Sequence, residues 1–418
     1  MINNRKLFYL DKLILFLPFS IIIGNAAINI NSILIGLIYI LILVLNRQHI
    51  FNNAKIILIF LVFLVPISIG SFNSTNQSIS LISLAGIFRY FLVMLAIILC
   101  LEKDKNFLNN FSKAIFVAII FTAFDTLIQF SLGKDILGYE VQTSHGNRLS
   151  GPFRDELIVG SYLTKMLLIS FFFFLSKNFN KQIFFYLILI FAIVLLSNER
   201  AVTIMLFFSL IIYFFFSSFI KTKMKLTILT TFILSIFLVV NFNSSIKSHF
   251  INNTFDQIGL TQNNSDRGFH NSFWDSRWGA HYLTAIEIFK TKPLVGSGLR
   301  TFRLECSNKE FEKIKSAQRS ERCNTHPHNI YFEILSETGL ITLILFLILM
   351  ITFLYKFLFN LFVGKADYEK NLVLLIFNFI LFFPIQTTGS LFSTWNGIFY
   401  WVCLAITIDH FKKIEKVK

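Results

Sequence analysis

Long apolar runs separated by short polar breaks dominate the chain. Runs such as Ile56–Ile69, Phe91–Leu101, Ile183–Leu196 and Leu343–Leu354, taken with their flanks, approach or exceed the roughly 20 residues that carry a helix across a bilayer. Inside lipid a helix satisfies all of its own backbone groups, so these runs predict helices. By the length rule about twelve spans are expected, near residues 13–29, 32–46, 54–71, 81–101, 111–132, 157–176, 182–197, 200–220, 225–243, 330–356, 371–388 and 394–410. The second run is short, and only a brief polar break parts the seventh from the eighth. One long polar stretch, 243–329, interrupts the series, and no internal repeat or low-complexity linker stands out. The predicted fold is therefore all-α, a polytopic integral membrane protein. An N-terminal helical bundle of about nine spans covers 1–242, a large loop containing helices covers 243–329, and the C-terminal spans cover 330–418.

Composition removes the soluble alternatives. Of the 418 residues 55% are hydrophobic and 15% charged, against roughly 25% charge in a soluble domain. The 53 phenylalanines accompany abundant Ile, Asn and Lys, so they follow from compositional bias rather than from a function. The first apolar run lacks a small-residue cleavage site and leads straight into further spans, so no cleavable signal peptide is expected.

Lys and Arg alternate by segment. One set of segments holds Arg5, Lys6 and Lys12; Arg47 and Lys55; Lys103, Lys105 and Lys113; Lys177 and Lys181; Lys221, Lys223 and Lys225; Lys356, Lys365 and Lys370; and Lys412, Lys413, Lys416 and Lys418. The alternate loops 24–31, 71–80 and 387–394 hold no Lys or Arg. Positive loops stay in the cytoplasm, which puts both termini there and sends 243–329 and 133–156 to the other side. The net charge of +15 is then largely a topology signal. A nucleic-acid partner is not expected, because the charges are not gathered on one soluble face.

The polar stretch has internal order. Residues Asp275–Lys290 read as an amphipathic helix that Asp275 caps, with Trp278, Tyr282, Ala285 and Phe289 as its apolar stripe and Lys292-Pro293 as its end. Arg277 and His281 share a face of it. Leu294-Val295-Gly296-Ser297-Gly298 follows as a glycine-rich turn; without a Lys-Ser/Thr it is no phosphate loop, and a tight turn against a membrane helix is the expectation. Cys100 and Cys403 fall in spans and read as packing. Cys306 and Cys323 fall in the external stretch, where a disulfide, free thiols and a metal site with nearby histidines are all open. Four cations stand in or beside apolar runs: Arg89, Arg154, Lys165 and Arg200. Intramembrane charge marks a pathway or an ion pair, and Arg200 with Glu199 or Glu156 illustrates the pair. With Arg277 they suggest a cationic outward pocket, and Arg suits bidentate phosphate binding.

The densest chemistry is Thr325-His326-Pro327-His328-Asn329, followed by Glu333, Glu337 and Gly339 where the chain returns to an apolar run. His328, Asn329, Gly339 and Thr342 match a pattern of His, then Asn, Ser or Gln, nine residues, Gly, two residues, then Gly, Thr or Tyr. On that motif the chain resembles the O-antigen ligase/O-antigen polymerase family of bacterial envelope glycosyltransferases. The likeness is strongest over 150–345 and adds Leu149-Ser150-Gly151-Pro152-Phe153, Asn198-Glu199-Arg200-Ala201 and Asp275-Ser276-Arg277-Trp278. It implies a site facing the periplasm in a protein of the bacterial inner membrane. The donor is then a glycan on undecaprenyl diphosphate, and the acceptor is lipid A–core or another glycan.

The chemistry that such a transfer needs can be assigned. The diphosphate is already an activated leaving group, so no metal, nucleotide or other cofactor is expected. His328 suits a general base because an imidazole titrates near neutrality. Arg200 and Arg277 suit the departing diphosphate, with Arg154 and Arg89 behind them. Asn329 and Glu337 are further substrate-binding candidates; Asn329 also reads as a helix cap, and Glu337 also reads as a backbone partner. Glu333 and Glu337 share a helical face and could orient groups or replace the base. Three readings stay open: an O-antigen ligase, a polymerase that extends the glycan on its carrier, and a non-enzymatic transporter of lipid-linked glycan. A transporter would show broken helices in paired halves, which the chain lacks.

Overall fold

The computed structural model describes residues 4–45, 52–143, 147–175, 181–218, 220–242, 247, 248, 250, 273–364 and 367–417. Among them it is all-helical apart from two isolated bridges, Lys134 with Glu140 and Gln142 with Arg148. The predicted loop residues 251–272, and Arg47, Lys177, Lys365 and Lys418 of the charge pattern, lie outside the described residues.

Nine helices precede the polar stretch among the described residues: α1 Asn4–Ile23, α2 Asn25–Leu45, α3 Ala54–Phe72, α4 Gln77–Lys103, α5 Phe107–Leu132, α6 Val159–Leu175, α7 Lys181–Leu196, α8 Arg200–Phe216 and α9 Thr222–Phe242. Helix α10, Arg277–Thr291, lies within the stretch. Helices α11 Ile330–Phe359, α12 Tyr368–Phe382 and α13 Thr394–Val417 follow it. Helices α2, α3, α4, α5 and the run Ile330–Gly364 are long and apolar enough to cross a membrane, while α6, α7 and α8 are apolar but shorter. The boundaries have local causes. Asn76 caps α4 by accepting the Ile79 N–H at 3.3 Å, and Gly133 ends α5 at φ 77°.

The bundle core is a continuous apolar cluster in which Ile98, Leu99, Ile115, Leu163 and Leu167 are wholly buried. Helix α5 packs on α6, α4 on α13, α1 on α2, α12 on α6 and α11 on α3. The outer faces stay apolar, as Val44, Ile82, Phe215 and Ile351 show, which suits lipid contact. Helix ends sort to two sides. At one end Lys356 pairs with Glu415 at 2.6 Å, and Lys412 reaches Asn53 at 2.5 Å and Glu102 at 3.1 Å. At the other end lies the segment 273–329, with its own small core of Ala285, Ile288, Phe302, Cys306 and Phe311 against Phe332.

That segment corrects one local expectation. Ser276, not Asp275, caps α10, accepting the Gly279 N–H at 3.2 Å. Asp275 instead accepts the Ala317 N–H at 3.1 Å, because the turn at Phe273–Asp275 carries its carboxylate away from the helix. The buried face of α10 also turns, to Gly279, Ala280, His281, Tyr282, Thr284, Ala285 and Ile288. The core it meets is α11 and the small loop core.

Candidate functional site

Chain geometry alone brings the histidines together. Asn329 caps α11 by accepting the Tyr331 N–H at 2.9 Å and the Phe332 N–H at 3.3 Å, and its amide donates to the Pro384 carbonyl at 2.7 Å. The residue before it must reverse the chain, and His328 does so at φ 59°. Residues outside glycine hold that left-handed region only where the surroundings enforce it, and such positions cluster at functional sites. The fold enforces it with a 2.7 Å bond from the Thr388 N–H to the His328 carbonyl.

The His328 ring then lies 4.2 Å from that of His326, 5.4 Å from His281 and 5.0 Å from Trp278, centroid to centroid. His326 Nε2 lies 3.1 Å from the Thr388 carbonyl, and its Nδ1 lies 2.9 Å from the Thr325 hydroxyl. His281 Nδ1 lies 3.1 Å from the Arg322 carbonyl. Buried Nε2 atoms of His328 and His281 have no protein partner. Burial pushes His328 down to about 2, helped by His326, His281 and Arg277. Burial likewise pushes His326 down to about 4, against the bond to Thr388. His281 is lowered too, again chiefly by burial. All three rings are neutral near pH 7, and in its Nδ1–H tautomer His328 presents a free lone pair at the unpartnered Nε2.

Cations ring this cluster. Arg277, at the start of α10, is half exposed and pairs with Glu321 at 3.2 Å. Arg300 and Arg303 stand within electrostatic reach of His326, Glu333 and Glu337, and their Nε atoms are buried without partners. Burial and the neighbouring Arg300 hold the Arg303 guanidinium below its ordinary value. Glu333 Oε2 accepts the Leu391 N–H at 2.7 Å, and Ser390 lies close to the same buried carboxylate. Unpartnered polar atoms of His328 and His281, and of Arg300 and Arg303 within electrostatic reach of His326, therefore lie on neighbouring segments, the pattern of a site that awaits a polar ligand.

A seam across α11 holds the loop that carries Arg300 and Arg303. At Gly339 the helix is broken, with φ 79° and ψ 179°. Its freed groups are exchanged with the glycine-rich turn: Leu340 N–H to Pro293 O at 2.8 Å, Ile341 N–H to Leu294 O at 3.3 Å, Ser297 N–H to Ser336 O at 3.0 Å and Gly298 N–H to Glu337 O at 2.9 Å. A Cβ at Gly339 would overlap the Leu294 carbonyl, and one at Gly296 would overlap the Glu337 backbone. Glu337 extends the seam, accepting the Arg300 N–H at 2.6 Å and the Phe302 N–H at 3.0 Å. Cys306 and Cys323 are joined as a disulfide with Cα atoms 5.2 Å apart, and the Cys306 carbonyl accepts Arg322 Nε–H at 3.1 Å.

The remaining sequence candidates lie elsewhere. Arg200 opens α8 within electrostatic reach of Arg148, beside Glu199, whose oxygens accept the Gly160 N–H at 2.6 Å and the Ser161 N–H at 3.3 Å. Arg89 donates to the Tyr90 hydroxyl at 2.9 Å, and that hydroxyl bonds the Thr394 carbonyl at 3.1 Å. Arg154 is exposed at φ 62°. Arg277 and Glu337 thus adjoin the His328 region and Asn329 shapes it, whereas Arg89 and Arg200 meet other groups and Arg154 faces outward. Sequence reading missed Arg300, Arg303, Arg148 and Thr388. Two arginines three residues apart just after a glycine-rich turn were a usable signal; the uncharged Thr388 offered none. Among the described residues no group of three His, Cys, Asp or Glu side chains has the geometry to hold a metal ion.

Beside the site an apolar groove of about 480 Å³ runs between α3, α4, α11 and α13. It passes Ile334, Leu391 and Phe392 at the histidine end and Lys55, Lys356 and Lys412 at the opposite end. No curated protein matches the chain. Residues 185–347 match the family described as O-antigen ligase, a stretch that takes in Arg200, α10, the three histidines and the Gly339 seam. The apolar helices mark a multi-pass membrane protein, and the part of it that carries these residues is similar to the O-antigen ligase family.

Proposed function

We propose that this protein is a membrane glycosyltransferase that moves a glycan from undecaprenyl diphosphate to a sugar hydroxyl of lipid A–core, the reaction of an O-antigen ligase. The observation that carries the reading is the unpartnered His328 Nε2, held in a left-handed turn with Arg277 within its electrostatic reach and Arg300 and Arg303 within that of the neighbouring His326. The acceptor hydroxyl gives its proton to His328 Nε2. The acceptor oxygen attacks the anomeric carbon from the face opposite the diphosphate. The bond from that carbon to the diphosphate oxygen breaks, and the leaving group takes the electron pair with inversion at carbon.

A buried neutral imidazole is a weak base when the site is empty. The donor changes that, because its negative charge beside His328 favours the imidazolium. The guanidinium groups take the charge that develops on the departing diphosphate. Arg277 and the half-buried Arg300 and Arg303 suit this work, Arg200 with Arg148 supplies a second cationic face, and Arg89 and Arg154 stay as outer candidates. Glu337 and Asn329 act as positioning residues, since protein backbone occupies their polar atoms. The polyprenyl tail fits the apolar groove, which leaves the sugars at the wet loop end. No cofactor is required. The site faces the periplasm of the inner membrane, with both termini cytoplasmic.

The test is a lipopolysaccharide gel from a deletion strain complemented with wild type or His328→Ala. Undecorated core with accumulating lipid-linked polymer, rescued only by wild type, is the expected result. Core bearing a single repeat would assign a polymerase instead. Full rescue by His328→Ala would remove the base. General-base contributions are about 10²- to 10⁴-fold, so the variant should lose at least about 10²-fold in transfer rate.

A further inference from the structure

We propose that Lys165, with the hydroxyls of Thr164 and Thr388, forms a phosphoryl-binding subsite inside the helical bundle; this deepens the donor reading above and rests on it. Lys165 lies in α6 and lines a cavity of about 60 Å³ closed by α8, α12, α13 and the segment 386–389. Its ammonium carries three N–H donors. One goes to Asn396 Oδ1 at 2.6 Å, and the Trp395 and Phe399 ring centroids lie at 5.0 and 4.9 Å. The Thr164 hydroxyl is buried without a partner, as is the Thr388 hydroxyl. Thr164 is 1% exposed, so water outside the protein does not reach it.

Charge decides what the cavity takes. The carboxylate within electrostatic reach belongs to Glu199, and both of its oxygens already accept backbone N–H groups at the start of α6. The lining therefore offers N–H and O–H donors, including an amine that a bound anion would hold protonated, and suits an anion rather than a cation. Its volume of about 60 Å³ exceeds the roughly 10–15 Å³ that one water needs, which leaves room for a group larger than a water such as a phosphoryl. Position identifies the group. Thr388 lines the cavity, while its N–H holds the His328 carbonyl and its own carbonyl holds His326 Nε2. A phosphoryl group seated here is one residue away from the imidazoles. The lipid-proximal phosphate of the donor meets that demand, since it must lie deeper in the bundle than the sugar.

The probe is farnesyl diphosphate, with inorganic diphosphate in parallel, titrated into the purified full-length protein in nanodiscs. Lys165→Met should weaken farnesyl diphosphate binding at least tenfold. Thr164→Val, which keeps shape and loses one hydroxyl, should weaken it several-fold while the ligand-free melting temperature holds. Inorganic diphosphate should compete for the same site if the phosphoryl group carries recognition. Wild-type affinity in both variants would overturn the subsite and leave Lys165 as a strut for Asn396. No binding to wild type at all would overturn the donor reading, and the subsite with it. If Lys165→Met fails to fold, the Thr164→Val result decides alone.

Discussion

His281, His326 and His328 sit ring against ring, and burial first, neighbouring positive charge second, holds each below the ordinary imidazole range. An unfolded histidine titrates near 6.5. Between that value and the folded value the unfolded chain binds more protons, so acid favours unfolding. The contribution to stability is complete above about pH 6.5 and is lost as pH falls, toward about 4 for His326 and lower still for His328. Each histidine steepens the slope by at most about 1.4 kcal/mol per pH unit. The melting temperature of the ligand-free protein should therefore drop steadily from pH 6.5 to 4, and His326→Gln should flatten that slope. An unchanged slope in the variant would mean that His326 is solvated and titrates freely. The sequence displayed His326 and His328 because they stand in one motif. It concealed His281 as their neighbour, since a fold contact over more than forty residues has no local signature, and the sharing of a face with Arg277 was its only trace.

At the scale of elements, the break in α11 decides where the arginine-bearing loop can sit. Four backbone hydrogen bonds cross from residues 336–341 to 293–298, and they form only because Gly339 and Gly296 have positive φ and no Cβ. An alanine at either position would face left-handed strain of about 1–3 kcal/mol, and a clash with backbone that has no flexible end to yield. Gly339→Ala should undock the loop: transfer is lost, and protease sites within 300–325 open while the spans still insert. Protection equal to wild type would show that the seam tolerates a side chain. A substitution at Asn329 should be milder, costing about 0.5–2 kcal/mol for a lost cap. The apolar helices were legible in the sequence because length and hydropathy are local properties. The start of α4 was placed late, at residue 81 instead of Gln77, because its first turn is polar and capped by Asn76. The glycine-rich turn was legible as a tight turn against a helix. What it turned against was not, because a helix broken at Gly339 reads in sequence as one continuous apolar run.

At the scale of the whole molecule, charge and contact sort the helix ends in the same way. Lys356, Lys412 and Lys413, expected in the cytoplasm from their segments, meet Glu415, Glu102 and Asp409 at one end of the bundle. The uncharged connectors 71–80 and 387–394 meet the histidine loop at the other: Lys292 donates to the Asn73 carbonyl at 2.7 Å, and Thr388 bonds His326 and His328. An ionised loop crosses lipid at a cost of several kcal/mol, and short Lys-rich loops resist translocation, so the two ends cannot exchange sides once inserted. The transferase reading requires that the histidine end face the compartment where lipid-linked glycans are presented. Reporter fusions give that a direct readout. An alkaline phosphatase fused after Lys309 should be active and one fused after Lys225 inactive, with the reverse for a cytoplasmic fluorescent reporter. If both fusions report the same side, the crossing by α9 is wrong and the orientation of the site is lost with it. If the pattern is inverted as a whole, the His328 site faces the cytoplasm, where a periplasmic acceptor such as lipid A–core cannot be its partner, and the ligase assignment falls while the geometry of the site stands.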